Sequence, residues 1–281
     1  MMRVAIIQAP TNMLPGSNEW AELAREISHA RPEVLITNEM PFGSWLAESN
    51  TFDREGAAQS IREGEAGIEV LRTLDIPVVL SSRPVSAGER LANEAFALVG
   101  GKYQRVHHKQ YFPDEPGFFE SDWFQAHLDG FDVVDLGGWS AGFLLCTELF
   151  FTEWARYYRR QGASLIAIPR ASGESLRTWL PAAQTAAIVS GCYVASSNRV
   201  GVASPELTFG GRGFCIAPDG TVIAETSAEQ PVVVFELDVE TSALQQRQYP
   251  CYVAEIEWDP HGLAQMEPLI SSTREPFGAR P

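Results

Sequence analysis

Short apolar runs rich in β-branched residues alternate along the chain with amphipathic stretches, and this alternation constrains the fold more than any other sequence feature. The run from Arg3 to Gln8 predicts a first buried strand. Between Asn18 and Ala30 the apolar residues Trp20, Leu23 and Ile27 fall on one face, which predicts a helix. Such alternation is typical of an α/β protein whose strands are covered by helices.

The same pattern extends over most of the chain, first as strands separated by helices and later as hairpins. Further strands are predicted at 33–37, 77–81, 94–99, 102–108, 132–136, 141–146, 164–168, 193–198, 213–217, 221–225 and 232–237, and further helices at 61–74, 152–161 and 178–190. Early strands buried on both faces, followed by hairpins, indicate mixed sheets. Because no linker or repeat interrupts the pattern, we expect a single domain over residues 1–270 and a C-terminal tail over residues 271–281.

Charge and cysteine content narrow the class of protein and its compartment. The chain has 21 basic and 36 acidic residues and a net charge of −15, which disfavours binding to nucleic acid or to an anionic membrane. No apolar run approaches the ~20 residues that span a bilayer, and the first residues do not resemble a secretory signal. The four cysteines lack the paired spacing of a zinc site or a disulfide framework. We therefore expect a protein of the reduced cytoplasm.

Three residues of catalytic type lie at the ends of predicted strands. Glu39 and Lys109 come directly after strands, and Cys146 ends one. In α/β proteins, ligand sites are usually built at strand ends and in the loops that follow them. Taken singly, the three could be a solvated acid, a surface cation and a small buried apolar residue.

The segments around these residues resemble those of the nitrilase (carbon–nitrogen hydrolase) superfamily, over nearly the full chain. The matching segments are Asn-Glu-Met-Pro-Phe-Gly at 38–43, His-Lys-Gln-Tyr-Phe at 108–112, Gly-Phe-Leu-Leu-Cys-Thr-Glu at 142–148 and Asn-Arg-Val-Gly at 198–201. One such segment would be weak evidence, but their shared order and spacing make the match specific. The resemblance implies an α/β fold of the four-layer α-β-β-α type, a sandwich with two mixed sheets.

The resemblance also implies roles for individual residues. Cys146 matches the nucleophile, Glu39 the catalytic glutamate and Lys109 the catalytic lysine. The family usually has a second glutamate near the site, and Glu120 aligns with it best. The rival is Glu115, which precedes a proline in a predicted turn and is expected to face water. No metal ion and no organic cofactor is implied.

These residue types suit cleavage of an amide-type C–N bond. A free cysteine, with a pKa of ~8.5, is mostly protonated at neutral pH, so the thiol needs a base such as Glu39. Attack on a carbonyl carbon places negative charge on oxygen, which Lys109 and a backbone N–H after Cys146 can stabilise. Glu39 can then protonate the leaving amine and activate the water that hydrolyses the thioester.

Other catalytic systems fit the sequence less well. No G-x-S-x-G segment marks a serine nucleophile, and no HExxH segment marks a metal site. His107 and His108 are neighbours on a predicted strand and point to opposite faces, so at most one could pair with a cysteine. We expect structural or surface roles for both. The glycine-rich segment at 210–213 lacks the lysine and helix of a phosphate loop, and it predicts a turn that needs close backbone approach.

Substrate-binding residues are predicted at five positions, namely Arg170, Phe42, Trp45, Phe119 and Thr147. Arg170 follows a predicted strand and could clasp a substrate carboxylate, or could instead cap the next helix or pair with an acid. The aromatic residues lie in loops, where they could be pocket walls or plain core. Thr147 directly follows the predicted nucleophile.

The expected activity is hydrolysis of an amide or N-carbamoyl compound, with release of ammonia. Nitrilases often carry tryptophan and then glutamate after the cysteine. Thr147-Glu148 matches by half, so a nitrile is the second candidate substrate. An acyl transferase would use the same residues, whereas a non-catalytic binding protein would not need them together. In this superfamily the helix near Phe151 and the stretch at 249–258 usually build a dimer, so the resemblance implies a homodimer or a higher homo-oligomer.

Overall fold

The structure, a computed structural model, describes residues 1–126 and 130–254. The predicted tail at 271–281 and the predicted end of the domain at 255–270 lie outside the described residues. The strands are β1 (Met2–Pro10), β2 (Val34–Ile36), β3 (Val78–Ala87), β4 (Arg90–Val99), β5 (Lys102–His108), β6 (Asp114–Glu115), β7 (Phe118–Phe119), β8 (Val134–Asp135), β9 (Ser140–Phe143), β10 (Leu165–Arg170), β11 (Tyr193–Ser204), β12 (Leu207–Gly210), β13 (Phe214–Ile216), β14 (Val222–Glu225) and β15 (Val232–Leu237).

The helices are α1 (Asn18–Ala30), α2 (Arg54–Arg72), α3 (Glu120–Trp123), α4 (Glu153–Arg160), α5 (Trp179–Ser190) and α6 (Val239–Gln245), with 3-10 helices at Leu46–Glu48 and Cys146–Phe150. In the described ranges, no helix combines the length and the apolar character needed to cross a membrane.

The larger strands form two mixed sheets. In the first sheet the order is β5-β4-β3-β2-β1-β15, and β1, β2 and β3 run parallel. In the second sheet the order is β14-β13-β11-β10-β9-β8, and β9, β10 and β11 run parallel. The far half of β11 pairs with β12 as a hairpin. The mixed character follows the connections, because helices join the parallel strands β1 to β3 and β9 to β11, whereas short turns join antiparallel pairs such as β3 and β4.

Alternate residues of each strand face different layers. Between the sheets, Ile6 and Ile36 of the first sheet share a core with Ala167 and Ala195 of the second. On the outer face of the first sheet, apolar residues pack beneath α1 and α2, and on the outer face of the second they pack beneath α4 and α5. The predicted α-β-β-α sandwich of two mixed sheets is therefore confirmed.

Strand β1 belongs to both sheets. Its first half pairs with β2, and residues Gln8, Ala9 and Pro10 pair with β11. Where β2 gives way to β11 along the edge of β1, the Ser197 hydroxyl donates to the Ile36 carbonyl over 2.7 Å and accepts the Ile7 N–H over 2.9 Å. The two sheets are therefore joined by backbone pairing as well as by their shared core.

Several element boundaries differ from the prediction. The second helix begins at Arg54 rather than residue 61, because the Asp53 carboxylate accepts the N–H groups of Glu55 and Gly56 and caps it there. The strand predicted at 141–146 ends at Phe143, so Cys146 begins a 3-10 helix instead of ending a strand.

The turn at 210–213 has the close backbone approach that its glycines predicted. A Cβ atom at Gly210 would lie 2.3 Å from the Glu174 Cα, and one at Gly213 would lie 2.7 Å from the Ser196 carbonyl oxygen. Any larger side chain at either position would displace backbone, so the turn requires glycine.

Candidate active site

Glu39 lies beyond the end of β2, with its carboxylate fully buried. Its backbone N–H donates to the Arg170 carbonyl of β10, 3.2 Å away, which ties the end of β2 to the second sheet. The chain then turns at Met40, whose φ is 42°. The buried Arg199 guanidinium holds this turn, because it donates to the carbonyls of Met40 and Gly43. The carboxylate is therefore presented by backbone that is fixed on both sides.

Lys109 joins two buried carboxylates. Its Nζ donates to Glu39 Oε1 over 2.8 Å and to Glu120 Oε2 over 2.6 Å, and all three side chains are inaccessible to solvent. The backbone N–H of Lys109 donates to the carbonyl of Asn93 on β4 over 2.9 Å, which fixes its position beyond β5. Charged hydrogen bonds in such a setting are strong and geometrically specific.

Asn93 is a further member of the cluster that sequence reasoning missed. Its Nδ2 donates to Glu39 Oε1 over 2.8 Å, so this oxygen accepts from both Asn93 and Lys109. Within the described residues, Oε2 of Glu39 has no hydrogen-bond partner. One oxygen of the carboxylate is thus held in place while the other can accept a proton. The signal in the sequence was a polar pair, Asn93-Glu94, inside an otherwise apolar strand.

Cys146 is the first residue of its 3-10 helix and has a φ of 51°. This left-handed conformation is unusual for a residue with a side chain, and such strain is found preferentially at functional sites. The residue is 3% exposed, and its Sγ lies 3.6 Å from the Ala171 carbonyl oxygen. A residue with this φ cannot continue a strand, so Cys146 lies outside β9 and begins the 3-10 helix.

The charges of the cluster act on one another. Burial raises the pKa of the Cys146 thiol, the charge of Glu39 raises it further and the charge of Lys109 opposes the rise. Burial alone would lower the pKa of Lys109, but the charges of Glu120 and Glu39 outweigh it and raise that pKa above its usual value. Burial also raises the pKa of Glu120 to about 8, against the opposing charge of Lys109. The resting site therefore contains a neutral thiol beside an ammonium group.

Glu148 is a second residue whose place sequence reasoning missed. Its buried carboxylate accepts the N–H of Gln110 over 2.7 Å and the N–H of Leu145 over 2.8 Å, and His107 Nε2 lies 2.9 Å from its Oε2. The Cys-Thr-Glu triplet contained this residue, but its partners lie far away in the sequence. The carboxylate thus contacts both the lysine segment, residues 107–110, and the cysteine segment, residues 145–148.

The two histidines next to Lys109 have separate carboxylate partners. His107 binds Glu148, whereas His108 Nε2 lies 3.1 Å from Oε2 of Glu94 on β4. Both rings are buried, so the surface role that was expected as one of two possibilities does not apply to either histidine. Their contacts are those of structural residues. Glu115, the rival of Glu120, is exposed, whereas Glu120 is buried on Lys109.

Arg170 lies in the outer layer of the second sheet. Its guanidinium is stacked between the rings of Trp179 and Phe214, each 5.0 Å away, and donates to Ser172 Oγ and to the Arg212 carbonyl. Within the described residues it has no carboxylate partner, so pairing with an acid is not its role there. Burial lowers the pKa of Arg170 to about 10, and a negative charge on Cys146 would raise it.

The other predicted substrate-binding residues are placed differently from one another. Trp45 is buried in an aromatic cluster with Phe118 and Phe209, and its Nε1 donates to the Gly117 carbonyl. Phe119 and Thr147 are half-buried. Phe42 packs edge-to-face on Trp20 in the core beneath α1 and α2, which is the plain core role that was its alternative.

Comparisons with a family model and with known proteins agree with one another. Residues 3–247 match the family model described as carbon-nitrogen hydrolase. The chain is 28% identical over 254 residues to a nitrilase of Pyrococcus abyssi, covering 85% of this chain and 90% of that protein. It is 28% identical over 172 residues to a 2-oxoglutaramate amidase of Bacillus subtilis, covering 54% and 63% of the two chains.

A solved structure shares the fold. A variant of the amidase from Nesterenkonia sp. AN1 superposes with a TM-score of 0.71 at 22% identity, covering 86% of this chain and 96% of that one. In that structure acrylamide has added to the active-site cysteine.

Proposed function

Because the chain belongs to the carbon–nitrogen hydrolase family, we propose that it cleaves the C–N bond of a small amide or N-carbamoyl compound through a thioester on Cys146. The observation that carries this proposal is the buried cluster in which Lys109 fixes one oxygen of Glu39, while the other oxygen has no partner among residues 1–126 and 130–254. The cysteine adduct in the Nesterenkonia amidase supports the same nucleophile position in this chain.

The first half of the proposed reaction forms the acyl-enzyme. Glu39 Oε2 accepts the thiol proton as Sγ of Cys146 bonds to the carbonyl carbon, and negative charge develops on the carbonyl oxygen. Lys109 and the backbone N–H of Thr147 stabilise that charge. Glu39 then delivers its proton to the nitrogen as the C–N bond breaks, so ammonia leaves rather than an amide anion.

The second half returns the enzyme to its resting state. Glu39 accepts a proton from water as the water oxygen attacks the thioester carbon, and the proton returns to sulfur as the C–S bond breaks. Glu120 holds Lys109 in place throughout. The raised pKa of Cys146 is compatible with these steps, because the proton moves to Glu39 during attack and no free thiolate needs to accumulate. No metal or organic cofactor takes part in these steps.

Ammonia release across a panel of amides, N-carbamoyl amino acids and nitriles, run beside Cys146→Ala, tests this proposal. We expect turnover of an amide or an N-carbamoyl compound by the wild-type protein only. Preferred turnover of a nitrile would favour the nitrilase alternative, and product formation that depends on an added amine would favour an acyl transferase. If none of these compounds is turned over and Cys146 reacts with iodoacetamide no faster than Cys192, Cys215 and Cys251, the proposal is wrong.

We further propose that Arg170 selects substrates that carry a carboxylate. The relative named 2-oxoglutaramate amidase acts, by its name, on such an amide. Because a charged hydrogen bond contributes ~1.5–3 kcal/mol, kcat/KM for an acid-bearing amide should exceed that for its methyl ester by about 10- to 150-fold. In Arg170→Met the two values should converge. Equal kcat/KM values for the acid and the ester in the wild-type protein would show that Arg170 does not bind a substrate carboxylate.

The proposed assembly is a cytoplasmic homodimer or higher homo-oligomer. Beside α4 and α5 the side chains of Tyr249 and Tyr252 are 73% and 63% exposed, and Phe150 is also exposed. The residues at 255–258 of the expected contact lie outside the described part. A monomer mass in light scattering at micromolar concentration, or recovery of the protein outside the cytoplasmic fraction, would contradict this.

A further inference from the structure

Glu148 lies two residues after Cys146, and its carboxylate is completely buried. Its Oε1 accepts the N–H of Gln110 over 2.7 Å, and its Oε2 accepts the N–H of Leu145 over 2.8 Å. His107 Nε2 lies 3.1 Å from Oε1 and 2.9 Å from Oε2. This ring nitrogen is therefore within hydrogen-bond distance of both carboxylate oxygens.

The partners of Glu148 flank two members of the proposed site. His107 and Gln110 stand on either side of Lys109, and Leu145 directly precedes Cys146. Each carboxylate oxygen accepts a backbone N–H from one of these two segments. One side chain thus contacts the lysine segment and the cysteine segment simultaneously.

Backbone pairing connects these two segments only through the whole series of strands from β5 to β9. Lys109 follows β5, which is the edge strand of the first sheet, whereas Cys146 follows β9 in the second sheet. The two strands lie towards opposite ends of the strand order. Their relative position therefore depends on side chains packed between the layers.

We propose that Glu148 is a positioning residue that holds the Lys109 segment against the Cys146 turn, so that the ammonium group and the thiol meet the same substrate atom. The expected effect of this role on turnover rests on the proposed function. Glu148 itself contacts neither reacting group; it acts through Gln110, His107 and Leu145.

Only a carboxylate satisfies both segments. In Glu148→Gln one oxygen becomes an NH₂ group that faces a backbone N–H, so either Gln110 or Leu145 loses its acceptor. A buried donor left without a partner is unfavourable, and the segment that carries it should move. A displacement of about 1 Å at a catalytic group can reduce the rate by about 100-fold.

The test compares Glu148→Gln with Glu94→Gln. Glu94 is also a buried carboxylate bound to a histidine, but its partner His108 lies on a neighbouring strand of the same sheet, which backbone pairing already holds. We expect Glu148→Gln to lower kcat by about 100-fold with KM changed less than about 3-fold. Glu94→Gln should lower kcat by less than about 5-fold.

A second readout does not depend on any substrate. The folded protein is alkylated with iodoacetamide and then digested, and modification of the Cys146 peptide is followed by mass spectrometry. The alkylation rate should fall by about 10-fold or more in Glu148→Gln and stay near wild type in Glu94→Gln. The Cys251 peptide gives an internal reference. A folded Glu148→Gln protein with wild-type alkylation would overturn the proposal, whether or not the wild-type protein hydrolyses amides.

If Glu148→Gln does not fold, His107→Phe is the second variant. It retains the two backbone contacts of Glu148 and removes the side-chain link to β5, and the new ring can stack on Phe131, 4.5 Å from the present one. Alkylation of Cys146 should then fall about 5-fold, an intermediate loss for one of three contacts. An unchanged rate in this folded variant would equally overturn the role of Glu148.

Discussion

Replacing Cys146 with alanine is expected to lower kcat by about 10⁴-fold or more, since removal of a covalent nucleophile from a comparable hydrolase costs on the order of 10⁶. The variant retains Glu39 and Lys109, but these groups can then only polarise a substrate for attack by water. Ammonia release from the best amide of the panel is the measurement.

The matched control is Cys215→Ala, which removes a thiol that is equally buried but lies in the core between the sheets. It should retain activity within about 3-fold, because a small change in the core away from the reacting groups affects stability more than rate. Both variants should unfold cooperatively near the wild-type midpoint. Residual turnover of Cys146→Ala above one hundredth of wild type would mean that another residue is the nucleophile.

The Lys109→Met variant should lose both stability and activity. Lys109 bonds two buried carboxylates, and removing one partner of a buried ion pair costs about 3–5 kcal/mol. Because Lys109 is proposed to stabilise the oxyanion, its loss should also lower kcat by about 10²- to 10³-fold. Urea unfolding and steady-state kinetics measure the two effects.

The stability loss should grow as the pH rises. In the wild-type protein the pKa of Glu120 is raised from 4.5 to about 8, so its contribution to stability falls as the pH rises through that window. Without the opposing charge of Lys109, the pKa of Glu120 rises further. In the variant, stability therefore continues to fall with pH above the point where the wild-type protein levels off. The difference in unfolding free energy between variant and wild type should therefore be larger at about pH 8.5 than at about pH 5.5.

The chain supplies its own control for this variant, because Lys102 is the one other lysine in the sequence. Lys102 is exposed at the start of β5, so Lys102→Met should change stability by less than about 0.5 kcal/mol and leave kcat unchanged. A Lys109→Met protein as stable and as active as Lys102→Met would show that the buried ion pairs have no such role.

Periodicity predicted the elements whose signals are local. Helix α1 and strands β5 and β15 have the predicted bounds, because their apolar spacing and flanking turns are contained within them. The start of α2 was missed because its early residues include Gly56, which weakens a helical pattern although the Asp53 cap sits beside it. The strand predicted at 141–146 was too long, because the left-handed φ that excludes Cys146 from a strand cannot be recognised in an apolar run.

For the site, residue types were visible in the sequence but their connections were not. Glu39, Lys109 and Glu120 were predicted from their segments, and the structure places their side chains in direct contact. Asn93 and Glu148 were not predicted, because each acts on a partner that is distant in sequence and adjacent only after the sheets have packed. Tertiary hydrogen bonds of this kind have no periodicity to reveal them.

Strand β1 carries a constraint that concerns both halves of the molecule. It lies between β2 and β15 in the first sheet, and its last residues, Gln8 to Pro10, pair with β11 of the second sheet. Inserting one residue near its middle would turn Ile6 from the space between the sheets towards the helices and would also shift the contact with β11. The register of this strand therefore sets the position of Glu39 relative to Cys146. Insertions or deletions should be tolerated far less in β1 than in the outer hairpins.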